Sequence, residues 1–225
     1  ASARKVAIIL ANYPNKDGRI ANGVGYDTPA STVRMLEAMR DAGYGVTDLP
    51  ASGNELIESL QQGTTNAARR GSGNPVLSLE DYAAFFAGLP DTVRSEITAR
   101  WGMPEADPFF AEGRFQLPVR LYGNAAVAIQ PARGYNIDPK STYHDPALVP
   151  PHGYLALYAW LRLAFGADAI IHNGKHGNLE WLPGKAVALS GACYPEIAHG
   201  PLPQLYPFIV NDPGEGTQAK RRTSA

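Results

Sequence analysis

The 225-residue chain has one cysteine, Cys193, which excludes an internal disulfide and suits a reducing compartment. Charge is also scarce: 18% of residues are Asp, Glu, Lys or Arg, and 20 basic against 21 acidic side chains leave a net charge of −1. A broad cationic face for nucleic acid is therefore not expected. No apolar run reaches the roughly 18 residues that a membrane-crossing helix needs, so no membrane span is expected. The start, Ala1-Ser2-Ala3-Arg4-Lys5, is followed by a short apolar run without a cleavage pattern, and a cytoplasmic location is expected. Two nucleotide signatures are missing. There is no Gly-x4-Gly-Lys-Ser/Thr loop, and Gly18, Gly23 and Gly25 do not fit Gly-x-Gly-x-x-Gly. ATP and its Mg²⁺ are thus not expected on this chain.

What the sequence does have is glycine, proline and apolar residues. The 23 glycines and 19 prolines make up roughly 19% of the chain, against an average of about 12%. With 44% hydrophobic residues, the composition fits a folded domain rich in loops. Scattered prolines exclude a coiled coil, and glycines without a triplet period exclude collagen. The length suits one α/β domain over residues 1–225, with room for a small helical insertion over about 50–120. There is no initiator Met, and Lys220-Arg221-Arg222-Thr223-Ser224-Ala225 stops in a segment patterned as a starting helix. The expectation is a piece of a longer protein.

Lys5–Ala11 is a continuous Val/Ile-rich run, the pattern of a strand buried on both faces. A glycine-bearing loop, Asn12–Thr28, precedes a helix with Thr28 as its expected N-cap, Pro29 in the first turn and Gly43 past the end. Tyr44–Leu49 reads as a weaker strand, Asn54–Gln61 as a short helix, and Gln62–Ser78, with Arg69-Arg70, as a solvated loop. Ser78-Leu79-Glu80-Asp81 opens a helix to Ala87 with a capping pattern, and Asp91–Trp101 is a second helix closed by Gly102. Pro104–Pro118 reads as irregular, Ala125–Pro131 as a strand, Gly153–Phe165 as a buried helix and Asp168–His172 as a strand. Pro207–Asn211 and Gly216–Arg222 complete the pattern as strand and helix. This alternation predicts an α/β fold with a mostly parallel sheet flanked by helices, a Rossmann-like or flavodoxin-like layer architecture. Ligands in such sheets sit beyond the carboxyl ends of the strands.

The densest chemistry follows one predicted strand: His172-Asn173-Gly174-Lys175-His176-Gly177-Asn178-Leu179-Glu180-Trp181-Leu182-Pro183-Gly184-Lys185. His172, His176 and Glu180 stand at i, i+4 and i+8. On a helix they would share a face, but Gly174 and Gly177 favour a strand end opening into a loop. Imidazoles with a carboxylate suit first-row divalent metals, and a loop histidine pair bonded to backbone is the plain alternative. Asp212-Pro213-Gly214-Glu215-Gly216-Thr217 opens a predicted helix whose free amides suit a carboxylate or phosphate. Arg133, His144 beside Asp145, and His152 at a helix start are further candidates. Cys193 reads as a small buried apolar residue.

The segments Asn12-Tyr13-Pro14-Asn15-Lys16-Asp17-Gly18-Arg19-Ile20, Asp27-Thr28-Pro29-Ala30-Ser31-Thr32, Gly174–Lys185 and Tyr206-Pro207-Phe208-Ile209-Val210-Asn211-Asp212-Pro213-Gly214-Glu215-Gly216-Thr217 resemble the large subunits of the cobalt/magnesium chelatase family. The likeness runs over essentially the whole chain. Magnesium members tend to carry Thr at the place of Lys175, Ser at Asn178, Phe-Met at Trp181-Leu182 and Asn-Pro-Ser-Glu at Asp212–Glu215. This sequence follows the cobalt pattern at each.

The resemblance implies an ATP-driven ligase that forms nitrogen–metal bonds, inserting Co²⁺ into a tetrapyrrole, hydrogenobyrinic acid a,c-diamide, in cobalamin biosynthesis. Co²⁺ is then a substrate metal. ATP and Mg²⁺ are used by partner subunits, an AAA+ ATPase and a second small subunit. For this chemistry His172, His176 and Glu180 are the candidate metal ligands, and Glu180 or His176 the candidate proton acceptor. Arg133, His144, His152, Lys175, Asn178, Asp212 and Glu215 are the implied contacts to the macrocycle. An isolated fragment is expected to be inactive. The alternatives are a magnesium chelatase domain acting on protoporphyrin IX and a docking module with no site of its own.

Overall fold

The computed structural model describes residues 1–12, 15–23, 25–70, 73–134, 145, 147–174, 177–185 and 190–207. A five-stranded sheet in the order β5-β6-β1-β7-β8 forms its centre. Its strands are β1 (Val6–Leu10), β5 (Val119–Tyr122), β6 (Ala125–Ile129), β7 (Ala169–Asn173) and β8 (Gln204–Leu205). All neighbours are parallel except β5, which pairs antiparallel with β6 as a hairpin. The central strand β1 sets Leu10 opposite Ile129 on one side and Asn173 on the other.

Pleating sends alternate side chains of β1 and β6 into two different cores. Ile8, Leu10, Val127 and Ile129 join Val33 and Leu36 of α1 (Thr28–Asp41) and Leu56 and Leu60 of α2 (Gly53–Gln61). Ala7, Ile9, Ala126 and Ala128 join α5 (His152–Trp160). The alanines matter because α5 is buried nearly all round and brings Tyr154, Leu155, Tyr158 and Trp160. Small residues on the sheet leave room for those large rings. A single π-helical turn, Leu161–Phe165, extends α5, and Gly166 ends it at φ 71°, a conformation that favours glycine.

Residues 76–116 continue the second core. Strands β2 (Val76–Ser78), β3 (Phe110–Ala111) and β4 (Arg114–Gln116) form an antiparallel sheet in the order β2-β4-β3. Helices α3 (Leu79–Ala87) and α4 (Asp91–Trp101) pack beside it. Leu77, Tyr82, Val93, Ile97 and Phe115 belong to the same buried cluster as α5. Ser78 caps α3 through the Asp81 amide, as its sequence pattern predicts.

Four local expectations change. The cap of α1 is Asp27, whose carboxylate accepts from Ala30 N, rather than Thr28. Tyr44–Leu49 is not a strand: it only touches the β5–β6 hairpin, through Asn124 N to Gly45 O and Thr47 N to Tyr122 O, and Asp48 turns away at φ 55°. The edge of the sheet beside β6 is held by β5. Within Pro104–Pro118, expected to be irregular, β3 and β4 pair. A short helix not expected from the sequence, α6 (Tyr194–His199), precedes β8. Of the expected strand Pro207–Asn211 only Pro207 is described, and the expected helix Gly216–Arg222 lies outside the described residues.

Candidate functional site

The chain leaves β1 toward α1 on one face of the sheet and leaves β6 toward α5 on the other. The carboxyl ends of these adjacent strands therefore flank a topological switch point, where ligand crevices form in open α/β sheets. The loop after β7 folds back to this place. Asn178 N donates to Gln130 Oε1 at 3.0 Å, and Asn178 Nδ2 donates to the Pro131 carbonyl at 3.0 Å. Asn178 Oδ1 accepts from the Tyr154 hydroxyl at 2.8 Å. Gly174 lets the loop turn: its φ is 137°, and a Cβ there would stand 2.8 Å from that of Ala11. Asn173, at the end of β7, ties the start of α1 in place. Its Nδ2 donates to Thr32 Oγ1 at 2.9 Å, and its Oδ1 accepts from Tyr26 at 2.8 Å.

Glu180 lies in a 3-10 turn, Leu179–Trp181, and is only 3% exposed. Its Oε1 accepts from the Tyr206 hydroxyl at 2.8 Å, and that hydroxyl accepts in turn from Gly177 N at 2.6 Å. His172 is equally buried at the end of β7. Its Nδ1 lies 3.1 Å from the Gln204 amide nitrogen, and its Nε2 lies 3.0 Å from the Tyr158 hydroxyl. With Gln204 donating to Nδ1, the ring proton sits on Nε2 and is donated to Tyr158. Burial, helped by the neighbouring His199, holds the His172 imidazole down to about 3. Burial also pushes the Tyr154 and Tyr158 phenols up, and the Glu180 charge adds to this at both. At Tyr154 the Arg133 guanidinium acts in the opposite sense. His172, Asn178, Glu180 and Arg133 are thus gathered around two tyrosines of α5.

All 225 residues match the CobN/Magnesium Chelatase family. The chain belongs to that family. It is 63% identical over 223 residues to the aerobic cobaltochelatase subunit CobN of a Sinorhizobium species, covering 99% of this chain and 18% of the relative. It is 34% identical over 222 residues to a magnesium-chelatase subunit of Chlorobaculum parvum, covering 97% of this chain and 17% of the relative. Among solved structures it matches the catalytic subunit of cobaltochelatase from Mycobacterium tuberculosis with a TM-score of 0.83 and 44% identity. That match covers 97% of this chain and 19% of the solved one. The chain therefore spans about a fifth of the length of these CobN relatives.

Within this CobN-type fold the sequence candidates fare differently. His172 is expected from the sequence as a metal ligand; here its two ring nitrogens meet the Tyr158 hydroxyl and the Gln204 amide. His152 is expected to contact the macrocycle. It is fully buried instead, with Nδ1 2.7 Å from the Tyr82 hydroxyl and Nε2 3.0 Å from the Gly102 carbonyl. Its partners lie on α3 and at the end of α4. Asn178 likewise spends its side chain on Tyr154 and Pro131. Arg133 is 2% exposed and donates to the Asp145 carbonyl at 2.6 Å. Lys175, His176, His144, Asp212 and Glu215 lie outside the described residues. Among the described residues no group of three or more His, Cys, Asp and Glu side chains is placed to hold a metal ion. None of their helices is long and apolar enough to cross a membrane.

Gln204 of β8 and His199 of α6, which meet His172, carry no spacing signal in the sequence. Tyr206 opens one of the resembling segments, but nothing in that segment points to its contact with Glu180. The loop holding Arg69-Arg70, expected to be solvated, grips the first motif: Arg70 pairs with Asp17 at 2.6 Å, and Thr65 Oγ1 donates to Asp17 Oδ1 at 2.6 Å. Cys193 is buried as expected, yet its sulfur accepts from the amides of Lys185 and Ser190, each at 3.3 Å.

Proposed function

We propose that this chain is the part of a CobN-type cobaltochelatase large subunit that holds one wall of the metal-insertion site, in ATP-dependent transfer of Co²⁺ into hydrogenobyrinic acid a,c-diamide. The observation that carries the reading is the buried, hydrogen-bonded carboxylate of Glu180 at the carboxyl end of a parallel sheet, in a segment that follows the cobalt pattern. The higher identity to CobN, 63% against 34% for a magnesium-chelatase subunit, supports cobalt over magnesium.

Insertion requires a ligand set that releases Co²⁺ and a base that takes the protons leaving the ring nitrogens. Glu180 and His176 are assigned to both tasks, since carboxylate and imidazole suit a first-row divalent ion and either exchanges protons when tuned by its site. His172 serves by anchoring the end of β7. Arg133 and Lys175, with Asp212, Glu215, His144 and the amides that follow Asp212, are assigned to the macrocycle's polar side chains; Arg suits bidentate carboxylate binding. ATP hydrolysis belongs to the AAA+ partner and the second small subunit, and the isolated 225 residues are assigned no insertion activity.

The test is Co²⁺ insertion by the full subunit with its partners, comparing wild type with E180Q and H176A. Loss of a proton acceptor costs about 10²–10⁴-fold in rate. Normal turnover in E180Q removes Glu180 as base. Equal binding of Co²⁺ and tetrapyrrole by wild type, E180Q and H176A would favour a docking module.

A further inference from the structure

We propose that Tyr206 is a positioning residue for metal insertion, locking the Glu180 carboxylate and the Gly177 amide into one arrangement through its single hydroxyl. The inference rests on the reading of Glu180 given above and deepens it.

Tyr206 follows directly on β8, which pairs with β7 through Ile170–Gln204 and Ile171–Leu205. Residues two apart along a strand share a face. Gln204 and Tyr206 therefore project to the same side, where Gln204 meets His172 and Tyr206 meets Glu180. The Tyr206 ring also stands edge-on to the His172 ring, 5.8 Å between centroids at 68°. A two-residue edge strand thus brings Gln204 against His172 and leads Tyr206 to Glu180.

The hydroxyl is used in both directions. It accepts from Gly177 N at 2.6 Å and donates to Glu180 Oε1 at 2.8 Å, so it closes the three-residue step between the loop and the 3-10 turn. A Cβ at Gly177 would lie 2.8 Å from the same oxygen, so the glycine lets the hydroxyl approach its amide closely. A buried carboxylate needs such a donor, both to offset its desolvation and to fix its orientation. Outer partners of this kind typically change metal affinity or activity by about 10–100-fold when removed.

The experiment uses the full subunit with its ATPase partners and follows steady-state Co²⁺ insertion at varied tetrapyrrole concentration by the absorbance of the tetrapyrrole. Y206F keeps the ring against His172 and deletes only the hydroxyl. We expect kcat to fall by about 10–100-fold, with KM for the tetrapyrrole within about two-fold. In the E180Q background, Y206F should lower the residual rate no further, because Tyr206 acts through Glu180. Wild-type kcat in Y206F, or losses that multiply in the double variant, would overturn the proposal. If E180Q itself turns over normally, the reading of Glu180 fails first and this inference fails with it, so the two failures are told apart. Should Y206F melt well below wild type, 4-aminophenylalanine at position 206 restores a donor on the same ring. It must then recover kcat, and failure to do so overturns the assignment.

Discussion

Replacing His172 by Gln should remove a defined part of the chain's acid sensitivity. In the unfolded chain this imidazole titrates near 6.5, and in the fold burial beside His199 takes it down to about 3. Between these values the unfolded chain binds a proton that the folded chain refuses. Stability is therefore complete above pH 6.5 and falls as the pH drops through the window toward 3. At about 1.4 kcal/mol per pH unit, His172 alone takes about 2 kcal/mol from the fold between pH 7.5 and pH 5. His199 and His152 are displaced downward by burial too and add in the same direction. Urea denaturation at the two pH values measures this directly. Wild type should lose about 2 kcal/mol more than H172Q over that interval, because Gln is neutral throughout and retains polar atoms for Tyr158 and Gln204. An equal loss in both proteins would refute a buried, neutral His172. The result also bears on function, because an imidazole that stays neutral down to about 3 takes up no proton near neutral pH.

Two further substitutions probe the loop that carries Glu180. Asn178→Ala removes an acceptor from the buried Tyr154 hydroxyl and a donor from the buried Pro131 carbonyl, and should destabilise by about 1–3 kcal/mol in a urea or thermal melt; a change below about 0.5 kcal/mol would show that the latch is unimportant. Gly174→Ala places a Cβ against that of Ala11 at a positive φ, and should cost more than about 2 kcal/mol in the same melt. A wild-type melting temperature for that variant would mean that the loop leaves β7 by another path.

The parts of the fold that showed in the sequence are those whose signal is local. β1 and β6 announce themselves as apolar runs because both faces are covered, and Ser78, Gly102 and Gly166 mark helix ends by their own conformational preferences. The parts that did not show are those decided by neighbours. Tyr44–Leu49 has strand-like residues, but β5 already occupies the edge through its hairpin with β6. β8 has two residues and no pattern; it exists because β7 offers an open edge. The pairs β2–β4 and β3–β4 are too short to alternate visibly, and their stability comes from Leu77 and Phe115 packing into the core around α5.

The site divides along the same line. The segment His172–Lys185 could be picked out because histidines, a carboxylate and glycines crowd together after a strand, and Glu180 does lie beside the switch point with its carboxylate buried. Spacing alone treats His172 and Glu180 as equals, since i and i+8 carry no information about what each side chain meets. The contacts separate them. His172 is held on both nitrogens by a tyrosine of α5 and a glutamine of β8, whereas Glu180 is held by a hydroxyl that also steadies its own loop. Those holding groups come from residues 14 and 32 positions from His172 and 26 from Glu180. A linear motif cannot encode partners at such separations; only the parallel pairing of β7 with β8, and the packing of α5 over β1, bring them together. The resemblance to chelatase subunits points to this loop, and the proposal that Glu180 acts there rests on its buried carboxylate and on the hydroxyl that orients it.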